Sequence, residues 1–377
     1  MNNEPVAAKK KRSFTIRNPF MLTKRTEGMA GYKSWGIRLI ALLLAIVVCG
    51  LITLLITGLN PFDVYSTMFR GNFGTARKTW VVLKDMAILL CVSLAVTPAF
   101  KMRFWNIGGE GQILVGALAT SACMILLGDK LPAALLIPIM FIAALAAGAI
   151  WGIIPAFFKA YWRTNETLFT LMMNYVALQL VSFFIIVWEV PKGAGQIGII
   201  NQSSMAGWLP WVGGQQYLLN VIIVAVLTAL VYVYLKYTKH GYEISVVGES
   251  ERTAKYIGIK VPKVLIRTMA LSGALCALAG FLKVAGTDHT LTTTITEGYG
   301  FTAVMVSWMA NFNPIAMIFT TFIIVFLDKG AGEIASIFRL NQSFSEILTG
   351  IILFFIIGCE FFIRYKISLR HSETKEA

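Results

Sequence analysis

The chain has 377 residues, of which 57% are apolar or aromatic and 14% are charged, and its mean hydropathy is +0.71. Because soluble domains are about 25% charged, this composition excludes a water-soluble domain, a disordered chain and a disulfide-stapled secreted module. The 33 Lys and Arg exceed the 19 Asp and Glu and give a formal charge of +14. The basic residues lie between apolar stretches without an aromatic-basic stripe, which favours cytoplasmic loops over nucleic-acid binding.

Apolar stretches close to the ~20 residues that span a bilayer follow one another along the whole chain. They lie at about 37–58, 81–100, 110–128, 132–158, 167–190, 217–235, 264–284, 299–328 and 345–363. Most connections are rich in Lys and Arg, whereas 191–216 is nearly neutral and carries Trp208 and Trp211, as an outer interface would. Both termini are therefore predicted in the cytoplasm. We expect a basic cytoplasmic segment at 1–36, a single transmembrane domain at 37–363 with a cytoplasmic loop at 236–263, and a cytoplasmic tail at 364–377.

The stretch 299–328 is interrupted by Asn311-Phe312-Asn313-Pro314. Proline lacks a backbone donor and clashes with the preceding helical turn, and asparagine favours turns. We predict two short helices here, about 299–311 and 314–328, which also keeps the basic C-terminus on the cytoplasmic side. The predicted fold is an all-α polytopic membrane protein with about ten membrane-crossing helices, including short broken helices.

Two polar segments open apolar helices. In FWNIGGEGQILVGALAT (residues 104–120), Asn106, Glu110 and Gln112 accompany three glycines, and Glu110 either caps the helix or projects into a cavity. In TNETLFTLMMNYVALQL (residues 164–180), Glu166 opens a helix, and one face of that helix carries Thr167, Thr170 and Asn174. A polar stripe inside a membrane faces protein or water, so this stripe either bonds neighbouring helices or lines a solute path.

The segment 241–280 combines a cytoplasmic loop with a span rich in small residues. Ser250 or Glu251 is expected to cap a short helix that ends at Gly258, and Ala254, Tyr256 and Ile257 favour a docking helix over a solvated connector. Ala270, Gly273, Ala274, Ala277 and Gly280 permit tight packing of the span that follows.

The segment 297–314 enters the membrane through a glycine-aromatic turn and carries Trp308. Just before it, Lys283, Asp288 and His289 are expected to form an ion pair at the outer end of a span. No Walker A, HExxH or GxSxG pattern is present, and the five cysteines lie far apart in apolar surroundings. We therefore predict no catalytic residue, metal site or cofactor in this chain.

Four segments, in this order, resemble the permease subunits of ABC importers in the branched-chain amino acid, ribose and nucleoside group. They are FWNIGGEGQILVGA, TNETLFTLMMNY, VGESERTAKYIGI followed by LSGALCALAG, and GYGFTAVMVSWMANFNP. The residues of these segments are most similar to those of the guanosine- or purine-type nucleoside permeases. Family loops more often have Asn-Pro where Ser250-Glu251 stands here, and small or apolar residues where Ser307, Trp308 and Met309 stand.

The resemblance implies a type II ABC importer-like permease in a bacterial cell membrane. It implies three partners: a second homologous permease, an ABC ATPase with two nucleotide-binding halves that binds the ATP, and an extracellular solute-binding lipoprotein. It also assigns ATPase coupling to six positions, which are Gly248, Glu249, Ala254, Lys255, Gly258 and Ile259. Ala254 is expected to sit in a partner groove, and the alternative coupling segment is the loop 159–165.

The substrate is predicted to be a nucleoside, with a simple sugar such as ribose or galactose as the alternative. Candidate path residues are Asn106, Glu110, Gln112, Glu166, Thr167, Thr170, Asn174 and Trp308, whose amides, hydroxyls and aromatic ring suit a neutral solute. Two competing hypotheses are a stand-alone secondary transporter and a polytopic enzyme. The ionisable residues of the spans mostly lie near span ends, and 191–216 offers only Lys192 as an outer catalytic group, so both are less favoured.

Overall fold

The computed structural model describes residues 20–24 and 31–369, and almost all regular structure in them is helical. The predicted all-α polytopic class is confirmed. The helices are α1 Gly31–Thr57, α2 Pro61–Phe73, α3 Ala76–Lys101, α4 Gly109–Leu127, α5 Ala133–Trp162, α6 Glu166–Trp188, α7 Leu218–Tyr237, α8 Lys239–Glu249, α9 Glu251–Tyr256, α10 Val261–Lys283, α11 Tyr299–Met309, α12 Pro314–Ile337 and α13 Gln342–Arg364. Strand β1, Phe20–Lys24, pairs antiparallel with β2, Tyr365–Leu369.

Nine helices within the described residues are long and apolar enough to cross a membrane. They are α1, α3 to α7, α10, α12 and α13. Eight of them coincide with predicted apolar stretches, whereas the remaining stretch, 299–328, covers α11 and the first part of α12. The chain is therefore a multi-pass membrane protein. Helix α10 continues into a π-helical turn, Val284–Asp288, whereas the 13-residue α2 has no counterpart among the predicted elements.

The predicted break before Pro314 is confirmed, but only one of the two helices around it is short. Helix α11 has 11 residues, and α12 has 24 because it continues to Ile337. Asn311 and Phe312 adopt positive φ, and the Asn313 side chain accepts from the Ile315 N–H at 3.0 Å to begin α12. The prediction ended at residue 328 because Asp328 and Lys329 close the apolar run, although they do not end the helix.

The described chain divides into two compact units. The first holds the described residues up to 61 and from 347 onwards, and the second holds residues 62–346. In the first unit, the Cys49 thiol approaches the Leu348 carbonyl at 3.7 Å. All five cysteines lie in the described part of the chain and are free thiols.

The core of the larger unit forms around α10, which packs on α3, α4 and α5. Small residues make this packing possible, as the sequence predicts. Gly273 of α10 lies directly against the backbone of Gly148 in α5, and a Cβ at either position would meet the other helix. Ala277 lies in the same way against Gly116 of α4. Because lipid provides no hydrophobic drive between helices, such close backbone contacts hold the bundle together.

Candidate functional site

Residues 102–108 connect α3 to α4 outside regular helix. The Asn106 side chain pairs with one of the backbone groups that therefore lack a helical partner. Its Oδ1 accepts from the Gly108 N–H at 3.0 Å. Its Nδ2 donates to the Ser272 hydroxyl of α10 at 3.2 Å and to the Gln112 side chain at 3.3 Å. Asn106 and Gln112 are both buried. The pair therefore fixes the connection against α10.

Helix α6 holds the same connection from the other side through two members of its predicted polar stripe. The Asn174 Oδ1 accepts from the Gly111 N–H at 2.8 Å, and its Nδ2 donates to the Ile107 carbonyl at 2.9 Å. The Thr170 hydroxyl accepts from the Ile107 N–H at 3.2 Å. Backbone groups that no helix satisfies are thus paired by side chains, as a membrane interior requires.

Glu110 lies in the first turn of α4 and accepts from the first turn of α11. Its Oε1 is 2.8 Å from the Gly300 nitrogen and 3.4 Å from the Phe301 nitrogen. Gly109 and Gly300 are in backbone contact, and a Cβ on Gly300 would meet the Glu110 backbone. A carboxylate at a helix N-terminus complements its unpaired N–H groups and its dipole. Glu110 therefore caps a helix, but a different helix from the one it opens.

The structure thus brings five of the eight predicted path residues into one buried cluster, at the junction of α4, α6, α10 and α11. These are Asn106, Glu110, Gln112, Thr170 and Asn174. Each hydrogen-bonds backbone or another side chain, which favours helix-to-helix bonding for the polar stripe. A direct contact with solute stays a prediction.

The three other predicted path residues lie outside that cluster. Glu166 forms an ion pair with Lys159 at 2.7 Å across the α5–α6 turn, and Thr167 is half-buried next to it. Trp308, near the end of α11, stacks on Trp105 with ring centroids 5.5 Å apart and planes 25° apart. One face of Trp308 is therefore already covered by protein.

The predicted coupling loop contains two helices, α8 and α9. The Ser250 hydroxyl accepts from the Thr253 N–H at 3.2 Å to begin α9, and Gly258 ends it with a φ of +85°. Both boundaries confirm the sequence prediction. Helix α8 had no predicted counterpart, because Gly241 and Gly248 weaken its helical pattern.

The structure corrects two details of the coupling loop. Gly248, one of the six predicted coupling positions, lies inside α8, where it approaches the Lys101 carbonyl so closely that no side chain fits. Ala254, expected to sit in a partner groove, is fully buried within the chain itself. Tyr256 is instead 92% exposed and Ile257 is half-exposed. The other predicted coupling residues, Glu249, Lys255, Gly258 and Ile259, are exposed or half-buried around them.

The alternative coupling loop lies next to α9. A small pocket is lined by Lys159 in the last turn of α5, by Arg163 of the α5–α6 turn, and by Glu251 and Lys255 of α9. The two candidate segments therefore form one continuous surface instead of two separate ones.

Sequence reasoning missed an ionic cluster that joins α3 to α12. Asp85 is 1% exposed and lies 3.1 Å from the Lys84 nitrogen and 2.8 Å from the Lys329 nitrogen. One helical turn further along α12, Glu333 pairs with Lys78 at 2.6 Å. Charges inside apolar stretches were visible in the sequence, but which helices they join depends on packing.

The expected ion pair at Lys283 is present, with a different main partner. The Lys283 nitrogen, 2% exposed, lies 2.7 Å from Glu297 and 3.6 Å from Asp288. His289 does not join the pair and stacks on Trp208 with ring centroids 3.7 Å apart. The segment 289–298 is thus tied to α10 through Glu297 and to the 191–216 connection through His289.

These features define a class of protein: a polytopic helical membrane protein with a helix break before Pro314 and a helix pair, α8 and α9, between two membrane spans. The chain matches the family described as branched-chain amino acid transport system / permease component over residues 79–357. It belongs to this family and is an ABC transporter permease.

Curated relatives cover most of the chain. The chain is 28% identical over 348 residues to the glucose ABC transporter permease protein TsgB13 of Haloferax volcanii, covering 89% of this chain and 90% of the relative. It is 29% identical over 323 residues to the guanosine ABC transporter permease protein NupP of Bacillus subtilis, covering 84% and 91%. The nucleoside ABC transporter permease protein NupB of Lactococcus lactis is 27% identical over 317 residues, covering 81% and 86%. No solved structure matches at a significant level.

Proposed function

We propose that this permease carries a nucleoside of the guanosine type across a bacterial cell membrane. The proposal is supported by the similarity to two nucleoside permeases, each matched over more than four fifths of its length. The similarity to a glucose permease over 90% of that protein makes a simple sugar the second candidate. Both solutes are neutral and rich in hydroxyl groups.

A direct uptake assay separates the two solutes. Cells deleted for this chain and the same cells complemented with it are supplied with radiolabelled guanosine, and in parallel with radiolabelled glucose. We expect complementation to restore guanosine uptake and leave glucose uptake unchanged. Restoration of glucose uptake alone would show that the transported solute is the sugar instead of the nucleoside.

We also propose that the permease works with a second homologous permease, a solute-binding lipoprotein and a separate ABC ATPase that binds the ATP, with no cofactor of its own. The surface formed by α9 and the α5–α6 turn is the proposed ATPase dock. The observation that carries this is the exposure of Tyr256, because an isolated aromatic ring on a rigid helix is typical of interface anchors. The basic segments around this surface support a cytoplasmic position for it and for both termini.

Co-purification with the ATPase tests the dock. Tyr256→Ala is compared with Tyr237→Ala, a matched control that removes a 67% exposed tyrosine at the end of α7. Loss of an interface anchor costs about 2 kcal/mol or more, so ATPase recovery with Tyr256→Ala should fall at least tenfold. Equal recovery with both variants, at equal permease abundance, would place the dock elsewhere.

A further inference from the structure

One face of α12 is buried in the first half of the helix and exposed towards its Ile337 end. At about 100° per residue, Thr321, Val325, Asp328 and Gly332 lie within roughly 60° of one another. Thr321 and Val325 are buried, whereas Asp328 and Gly332 are exposed. A Cβ added at Gly332 would meet no atom within 4 Å. The polar part of this face is therefore open towards the end of α12 that is remote from Pro314.

This face is not the one that α12 presents to lipid. The exposed apolar residues Ile315, Phe319 and Phe322 form a stripe, and Asp328 lies at least about 120° from each of them around the helix. A charged side chain facing hydrocarbon costs several kcal/mol, and such groups face a bundle interior or a water-filled cavity. Among the described residues no cation lies within ion-pair distance, 4.0 Å, of Asp328.

Ionic groups of both signs follow Asp328 in the chain and lie in the segment that precedes α11. Lys329 pairs with Asp85 at 2.8 Å. Glu297, also exposed, bonds Lys283 from the segment that precedes α11. Amino and carboxylate groups in similar numbers attract no strongly charged solute. They do offer donors and acceptors to hydroxyl groups and ring nitrogens.

We propose that Asp328 and Glu297 line the water-filled outer part of the solute path, where their carboxylates accept hydrogen bonds from a neutral, hydroxyl-rich solute. This inference rests on the proposed function and adds residues to it. Thr321 and Val325 on the same face are buried, so the exposed part of the face ends before them. The solute contacts then lie on α12 and segment 289–298, outside the eight positions that the sequence suggested.

Thiol labelling in intact cells tests the proposal with the chain among its natural partners. Asp328→Cys is treated with a membrane-impermeant methanethiosulfonate reagent, and Phe326→Cys serves as the control. Phe326 is about 3 Å away along the helix axis and on the opposite face. The unmodified chain supplies the background from its five cysteines. We expect rapid labelling at position 328 and background labelling at position 326.

Guanosine then serves as a protecting probe. The half-saturating concentration for uptake is measured on the Asp328→Cys variant itself, because this variant lacks one of the two proposed carboxylates. At about ten times that concentration, simple competition slows labelling of the variant about tenfold. Background labelling at 328, or equal labelling at 328 and 326, overturns the water-lined face. Rapid labelling that guanosine does not slow, in a transporter that takes up guanosine, overturns the solute contact. Absence of guanosine uptake by the unmodified chain refutes the proposed solute instead, while the comparison of 328 with 326 still decides the water-lined face.

Discussion

Glu110 opens α4, yet the N–H groups that its side chain satisfies belong to α11, which lies 190 positions further along the chain. From the sequence, capping and cavity-lining were both open for this residue, because a local pattern carries no information about a distant partner. The residue type was informative, since a buried carboxylate needs donors. The identity of the donors depended on the tertiary fold.

Removing the Glu110 carboxylate is expected to destabilise the permease. Glu110→Leu leaves the Gly300 and Phe301 N–H groups without their acceptor, and an unsatisfied buried donor costs about 1–3 kcal/mol. Thermal unfolding of the purified permease measures the effect. Glu110→Gln keeps a carbonyl acceptor and should lose less. If both variants melt at the temperature of the unmodified chain, the cap does not contribute to stability.

Asn174 provides a second test at the residue scale. Asn174→Leu removes the partners of the Gly111 N–H and the Ile107 carbonyl, so we expect a lower unfolding temperature and reduced membrane abundance. Gln179→Leu, at an exposed position on the same helix, is the matched control and should leave both unchanged. Normal abundance of Asn174→Leu with lost guanosine uptake would show instead that Asn174 contacts the solute.

At the scale of elements, the sequence predicted boundaries with a local cause. Pro314, Ser250 and Gly258 each act on their own turn, and all three boundaries lie where expected. It did not predict α8, or the extension of α12 beyond Asp328. Both helices make long-range contacts that a local pattern does not contain: Lys329 of α12 pairs with Asp85 of α3, and α8 packs on α3 and α10.

The loop that follows α6 is an element with a pH-dependent anchor. The Glu189 carboxylate accepts from the Gly193 and Gly195 N–H groups, each at 2.7 Å, and these bonds lower the pKa of Glu189 below its ordinary value of 4.5. A depressed folded-state pKa stabilises the loop fully above the ordinary pKa, and this contribution is lost as pH falls through the folded value.

We therefore expect hydrogen exchange of residues 190–198 to accelerate below about pH 4.5, beyond the intrinsic pH effect. In Glu189→Gln the loop should exchange faster at neutral pH and show no additional change on acidification. An unmodified loop whose protection is constant between neutral pH and pH 3 would exclude the carboxylate as its anchor.

At the scale of the whole molecule, transport should depend on ATP hydrolysed by another chain. The permease carries no Walker A pattern, and its exposed α9 is available to a partner. Purified alone in liposomes, it should show no guanosine uptake above empty liposomes, with or without a proton gradient. Addition of the ATPase, the second permease and the lipoprotein should restore uptake. Robust uptake by this chain alone would support a secondary transporter.

The dependence of α11 on Glu110 constrains how the protein is made. An 11-residue helix extends about 16 Å, roughly half of the ~30 Å hydrocarbon layer, so α11 cannot partition into lipid by itself as a nascent segment. It must enter a position in the bundle that is capped by the Glu110 carboxylate, which was synthesised 190 residues earlier. We therefore expect α4, which carries the capping carboxylate, to be in place before α11 and α12 insert. A translation pause between α10 and α11 should leave an assembled intermediate in which the position of α11 is empty.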